Sequence, residues 1–240
     1  FTHYKYDHQN PASLSNPNVA YIYESQDGGI WLGMYEGGLS KLEQETGQFT
    51  HYRHDPNDPE SLSSDAVMVI MQDHTGSMWV GTGGGLNKFD PRSGKATHYT
   101  VKDGLPNDVI YGIVEDDQGY LWLSTNVGLA RFDPRTSSFQ NYDARDGLQS
   151  NEFNAFAFTK TRTGEIVFAG IAGTNIFRPQ AIQNNSYVPP IVLTQLTQGG
   201  EAVQVTQTAD GQQEVTLRWP HNYFEFEFAA LSYSDPEHNQ

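Results

Sequence analysis

Three histidines, His3, His51 and His98, sit at matching places in similar stretches. Phe1–Tyr4 and Phe49–Tyr52 both read Phe-Thr-His-Tyr, and Ala96–Tyr99 reads Ala-Thr-His-Tyr. Recurring imidazoles could suggest a metal site. Equivalent positions of a repeated unit lie far apart, so they cannot share one ion, and a surface-strand role is expected instead. Asp27, Asp73, Asp116 and Asp117 each precede a turn glycine. A general acid/base pair needs two carboxyls roughly 5–10 Å apart across a cleft, and nothing in the spacing pairs any two. They are read as turn residues, whose carboxylates bond their own backbone. Gly83-Gly84-Gly85 lacks the Lys-Ser/Thr and the helix start of a phosphate loop. It is read as a tight strand connection. No catalytic residue, metal or cofactor is expected.

The elements that must carry any site come from a repeat. Gly-x-x-Trp recurs around Trp31, Trp79 and Trp122, and a fourth copy places Val167 where the Trp would stand. The steps are 48, 43 and 45 residues, a period that signals one supersecondary unit repeated. Each unit reads as four short strands. In the second, Val67–Gln72, Met78–Thr82, Leu86–Phe89 and Ala96–Tyr99 are separated by Asp/Gly turns and an Asp-Pro turn. The third expects its first strand at Val109–Glu115. Four antiparallel strands with one aromatic per unit specify a β-propeller blade. Trp31, Trp79 and Trp122 are expected to fill the wedges between blades, with Phe168 and Phe177 recovering the bulk lost at Val167. Phe1–Tyr4 reads as a fourth strand without its first three. Either it completes the last blade, giving a four-bladed ring, or residues 1–179 are the C-terminal blades of a larger propeller, which is the favoured reading.

The repeat stops near Pro179. Residues 180–188 read as a linker. Residues 189–240 open a different all-β pattern, with strands at Ile191–Leu196, Ala202–Val205, Glu214–Leu217 and Tyr223–Phe228. The last alternates aromatic and acidic with period two, as a half-buried strand does. This is the start of an immunoglobulin-like β-sandwich, too short to be whole.

The chain has 240 residues with 14 Lys+Arg against 29 Asp+Glu, a formal charge of −15. With no basic cluster, nucleic acid and anionic membrane surfaces are unfavoured partners. The absence of cysteine excludes disulfides and thiolate metal sites. No run approaches the ~18 apolar residues of a membrane span, so membrane attachment is expected only through segments outside this sequence.

These motifs together resemble the two-component regulator propeller repeat: Asp-Gly-Leu, a buried strand, Asp-x-x-Gly-x-x-Trp, then Gly-Leu-x-x-Phe-Asp-Pro. Asp103–Pro134 is the cleanest copy, Asp146–Asn154 resembles the form that ends such propellers, and Pro189 onward resembles the start of a Y-Y-Y domain. The resemblance implies the sensor region of a bacterial membrane receptor, periplasmic, homodimeric at full length, with a histidine kinase, hybrid or cyclase output elsewhere. It also implies a small-molecule ligand, often an oligosaccharide. Binding residues belong on the loops joining strands 2–3 and 4–1. Tyr35, Glu36, Asn107, Asp108, Asn126, Asn151, Glu152 and Asn154 are the candidates, able to stack on and hydrogen-bond a sugar. The competing readings are a streptogramin-lyase-like enzyme, needing a His and an acid with a metal on the axis, and a scaffold propeller that binds only protein.

Overall fold

The computed structural model describes residues 1–182, 191–203, 205–207, 213–215 and 223–230. They fall into two compact units, one in Phe1–Ile182 and one in Gln183–Gln240. The first unit is built of antiparallel blades. Blade one pairs β1 (Val19–Glu24), β2 (Ile30–Met34), β3 (Leu39–Glu43) and β4 (Gln48–Tyr52) in sequence order. Blade two pairs β5 (Val67–Gln72), β6 (Met78–Thr82), β7 (Gly85–Asp90) and β8 (Lys95–Tyr99). Blade three pairs β9 (Gly112–Glu115), β10 (Leu121–Ser124), β11 (Leu129–Asp133) and β12 (Ser138–Tyr142). Blade four has three strands, β13 (Phe153–Lys160), β14 (Ile166–Gly170) and β15 (Gly173–Phe177).

The tryptophans stand between blades. Trp31 is buried with Val67, Ile70, Val80 and Phe89 of blade two, Trp79 with Ile113, Leu123 and Phe132 of blade three, and Trp122 with Phe153, Ile166 and Phe168 of blade four. Strand alternation explains this: Trp79 and Gly81 point to the next blade, Met78 and Val80 to the previous one. Each indole is also covered by a cation from the neighbouring strand, Lys41, Lys88 and Arg131 in turn. Phe168 differs from the expectation. Its register partner Asn175 puts it at the position equivalent to Val80 and Leu123 rather than to the tryptophans, so it fills the Trp122 wedge from the blade-four side. Val167 holds the tryptophan position. Phe177 packs on Trp122, with ring centroids 4.8 Å apart.

The turn before each tryptophan is bonded to it. Trp79 donates its indole N–H to Asp73 Oδ2 at 2.7 Å, and Trp122 donates to Asp116 Oδ2 at 2.9 Å. Asp73 Oδ1 also accepts from the amides of Thr75 and Ser77 and from the Thr75 hydroxyl. Burial pushes the Asp73 carboxyl up, but these donors outweigh it and hold the group below its ordinary value. In blade one, Ser25 and Asp27 exchange the roles, with Ser25 donating to Asp27 at 2.5 Å.

Neighbouring blades are latched at the same turns. The Gln26 amide donates to Gln72 Oε1 at 2.7 Å, His74 Nδ1 meets Glu115 at 2.5 Å, and Lys160 meets Asp117 at 2.7 Å. Two straps cover the outer edges of blades one and two. The Phe49 amide donates to Ala12 O, and the Ala96 amide to Glu60 O. His51 and His98 bond Ser13 O and Ser61 O, which ties each fourth strand to its strap. Such cover blunts an otherwise open edge.

Two expectations on strand position fail. Phe1–Tyr4 is not a strand and does not complete the last blade. Tyr4 lies edge-on to Phe49 of blade one, 5.5 Å between centroids, so its apolar side chain is satisfied there. The first strand of blade three begins at Gly112, because the Ile110 amide donates to Thr82 O of the preceding blade instead.

Past β15 the first unit includes the 3-10 turn Pro179–Ala181, and Ile182 packs against the blade-four core. The rest of the expected linker, 183–188, lies outside the described residues, as do Thr216, Leu217 and the end of the chain. In the second unit, β16 (Ile191–Gln198) pairs with β17 (Glu201–Ala202) and β20 (Phe224–Ala230), and β18 (Val205–Gln207) pairs with β19 (Gln213–Val215). The β20 aromatics are exposed rather than half-buried, Phe226 at 55% and Phe228 at 60%. Among the described residues of this unit no second layer covers that face.

Candidate functional site

The inner strands β1, β5, β9 and β13 converge. Each touches the next, and β13 also touches β5. Across this centre, Phe156 and Phe158 of β13 both stack with Tyr21 of β1, each with centroids 6.4 Å apart. Phe156 also meets Tyr35 edge-on, at 6.3 Å and 82°. Tyr21 is the enclosed member; burial, with a smaller push from Tyr23, raises its phenol above the ordinary value. Tyr35 and Phe156 remain open to solvent at 41% each.

A local irregularity delivers Phe156 to this place. Phe153 pairs with Gly170 and Phe158 with Phe168, so six residues of β13 stand opposite three of β14, and the strand bulges. Phe156 adopts φ +63° at the crest of the bulge. A bulky residue in the left-handed region costs roughly 1–2 kcal/mol, and only contacts around it can hold it there.

The rim of this centre is made as the loop rule requires. The Gly37 and Gly38 amides donate to Asp65 O, the Gly83 amide to Ala66 O, the Gly128 amide to Asn151 O, and the Ile171 amide to Glu152 O. Every 2–3 turn is thus bonded to a 4–1 loop, and both kinds share one face. Of the eight candidates, Asp108 and Asn151 are latches: their Oδ1 atoms accept from the amides of Val101 and Ala144, both at 2.8 Å. Asp65 does the same for His54. Asn107 Oδ1 accepts from Val109 N at 2.9 Å, a turn bond. Their acceptor atoms therefore serve the loops. Tyr35 stands at the aromatic cluster and Glu36 beside it, its carbonyl holding Asn16. Asn154 lies on β13 two residues before Phe156. Asn126 follows Thr125, whose carbonyl accepts from Phe153 N at 3.2 Å, so the Asn126 turn adjoins the start of β13. Glu152 bonds through its backbone, leaving the carboxylate in solvent.

Phe156 and Tyr21 were not among the candidates. A signal existed for the first: eleven residues separate the latch from the turn glycine in units two and three, Asp65 to Gly76 and Asp108 to Gly119. Thirteen separate Asn151 from Gly164. The extra two residues make the bulge.

Two cavities lie elsewhere. One of about 570 Å³, at the outer hairpin of blade two, is lined by Lys88, Asp90, Pro91 and the ion-paired Glu60 and Lys95. The other, about 410 Å³, is an apolar hollow on the outer face of blade one, beneath Tyr4, Ile22, Leu32 and Phe49. Among the described residues no three His, Asp or Glu side chains are grouped to hold a metal, and no helix is long and apolar enough to cross a membrane.

Antiparallel four-stranded blades with wedge aromatics around a shared centre define a β-propeller fold. More particularly, the chain carries two-component regulator propeller repeats: the family profile of that description matches residues 61–84 and 104–127. Each match runs from the segment before the first strand to the 2–3 turn. No curated protein matches the chain. Among solved structures, it is similar to the extracellular domain of BT3049 from B. thetaiotaomicron, described as a hybrid two component system. That likeness has 25% identity and a TM-score of 0.71, covering 96% of this chain and 31% of that one. It is also similar to the extracellular domain of BT4673 from the same organism, described likewise, at 21% identity and TM-score 0.62, over 79% of this chain and 27% of that one. The chain therefore spans less than a third of the length of either.

Proposed function

We propose that this chain is part of the extracytoplasmic, ligand-sensing region of a membrane receptor. The observation that carries this is the likeness over nearly the whole chain to an extracellular domain of a hybrid two component system. In this reading the propeller blades bind a carbohydrate. The β16–β20 unit is the start of the Y-Y-Y immunoglobulin-like domain that relays the change, in a homodimer, toward a cytoplasmic kinase or other output domain. The part-exposed Tyr35 and Phe156 support a role in binding a ligand.

Two measurements test it. A periplasm-dependent reporter enzyme fused after Gln240 in the gene's natural context should be active; a fusion active only in the cytoplasm refutes the location. A carbohydrate that raises the melting temperature of the protein should also switch the output of the intact receptor. Binding without any change in output would refute the sensing role.

A further inference from the structure

We infer that the ring centre is the ligand site, that Tyr35 and Phe156 form its two walls, and that it selects uncharged saccharides over anionic ones. This rests on the sensing role proposed above and gives that role a place and a specificity.

Three independent observations meet here. Phe156 is held in the left-handed region at φ +63°, a conformation that serves no blade pairing: the register is broken there and resumes at Phe158. Backbone strain of this kind persists where the surrounding structure enforces it, and it clusters at binding sites. Secondly, the bulge places a ring at a right angle to Tyr35, itself 41% exposed, with Tyr21 and Phe158 packed behind. The two rings meet edge to face at 82° and each residue is 41% exposed, so their exposed parts can take the apolar C–H face of a pyranose and its edge. The amides of Asn126 and Asn154 are uncommitted among the described residues and lie on the elements that flank these walls, able to bond hydroxyls.

The third observation is charge. The four inner strands and the 2–3 turns at Tyr35–Gly38, Thr82–Gly85, Thr125–Gly128 and Gly170–Gly173 contain one cation between them, Lys160, while the 4–1 loops add Arg53, bonded to Ser15 O, Lys102, and Arg145, paired with Asp143, each within three residues of an outer strand. Lys160 lies at the far end of β13, paired with Asp117. The acids on the lip, Glu36 and Glu152, have no ion-pair partner among the described residues. In a chain of charge −15, a carboxylate or sulfate entering between Tyr35 and Phe156 would meet like charge, with no guanidinium or ammonium on the inner strands or 2–3 turns beside it except the paired Lys160.

Calorimetric titration with two panels of matched length tests this: neutral hexose and pentose oligosaccharides, and uronate-containing or sulfated ones. Binding should be confined to neutral members. Phe156→Gly and Tyr35→Ala should each weaken it about tenfold or more, with the melting temperature of Phe156→Gly unchanged. Tighter binding of the anionic panel overturns the selectivity. Neutral binding indifferent to both variants overturns the site and leaves the sensing role standing. If neither panel binds, the carbohydrate reading itself fails and takes this inference with it.

Discussion

Replacing Asp73 by Ala tests whether the turn carboxylate, rather than the tryptophan alone, holds a blade together. Asp73 is 4% exposed, and its carboxylate accepts four hydrogen bonds, from the Thr75 amide and hydroxyl, the Ser77 amide and the Trp79 indole. Thr75 is exposed, so its donors regain water when the acceptor is lost. Trp79 is fully buried and cannot. An orphaned buried donor costs roughly 1–3 kcal/mol, and a hydrogen bond to a charged group contributes about 1.5–3 kcal/mol. Counting the indole and the part-buried Ser77 amide, Asp73→Ala should cost about 3 kcal/mol in urea unfolding. Trp79→Phe removes the same donor. In the double variant the Asp73→Ala cost should shrink by about 1–2 kcal/mol, the coupling expected of contacting residues. Asp116→Ala should repeat the effect through Trp122. A cost below about 1 kcal/mol for Asp73→Ala, or zero coupling, would refute the bonded-turn argument.

The same pair gives a pH signature with a definite sign. The Asp73 carboxyl is depressed in the folded protein, so its contribution is fully present above the unfolded value of about 3.8. It is lost as pH falls through the lower folded value. The parent and Asp73→Ala proteins should therefore converge in stability at acid pH and diverge above it.

The remaining predictions concern other elements. The hydrogen bond and charge of Glu115 raise the His74 imidazole, so this latch stabilises fully below the unfolded value of 6.5 and is lost as pH rises through the folded one. His74→Gln should lower the melting temperature at pH 5.5 more than at pH 8.5, and equal losses would contradict the ion pair. Gly128→Ala would place a Cβ 2.1 Å from Tyr142 O at φ +87°, whereas Gly147→Ala at φ +98° meets nothing within 4 Å. The first should cost more than about 2 kcal/mol and the second about 1 kcal/mol, by chemical denaturation. Phe156→Gly sheds left-handed strain while losing ring contacts of about 0.5–1.5 kcal/mol each. Its stability should stay within about 1 kcal/mol of the parent; a loss above about 3 kcal/mol would make Phe156 a core residue instead.

What the sequence made legible is what repeats. Trp31, Trp79 and Trp122 recur with their turns, so strand order and wedge role follow from period and alternation. Asp108 and Asn151 recur too, and a loop amide or carboxylate looks equally fit to bind a sugar or to cap its own chain. The structure gives their acceptors to Val101 and Ala144, as it gives that of Asp65 to His54. Repetition at equivalent places in successive blades marks a structural job, since one small ligand on the axis has no need of a copy from each unit. The useful converse is that a site should lie where the units stop agreeing. Tyr35 has no aromatic counterpart at the other 2–3 turns, which carry Gly83, Asn126 and Ile171. Phe156 stands in the one inner strand lengthened by two residues. The two places that break the repeat are the two that meet at 6.3 Å. Neither was legible as a partner of the other, because their meeting depends on how far the blades curve. That curvature is set by the bulk at each wedge, Trp31 against Phe89, Trp79 against Phe132 and Trp122 against Phe177, and not by any local pattern at residue 35 or 156.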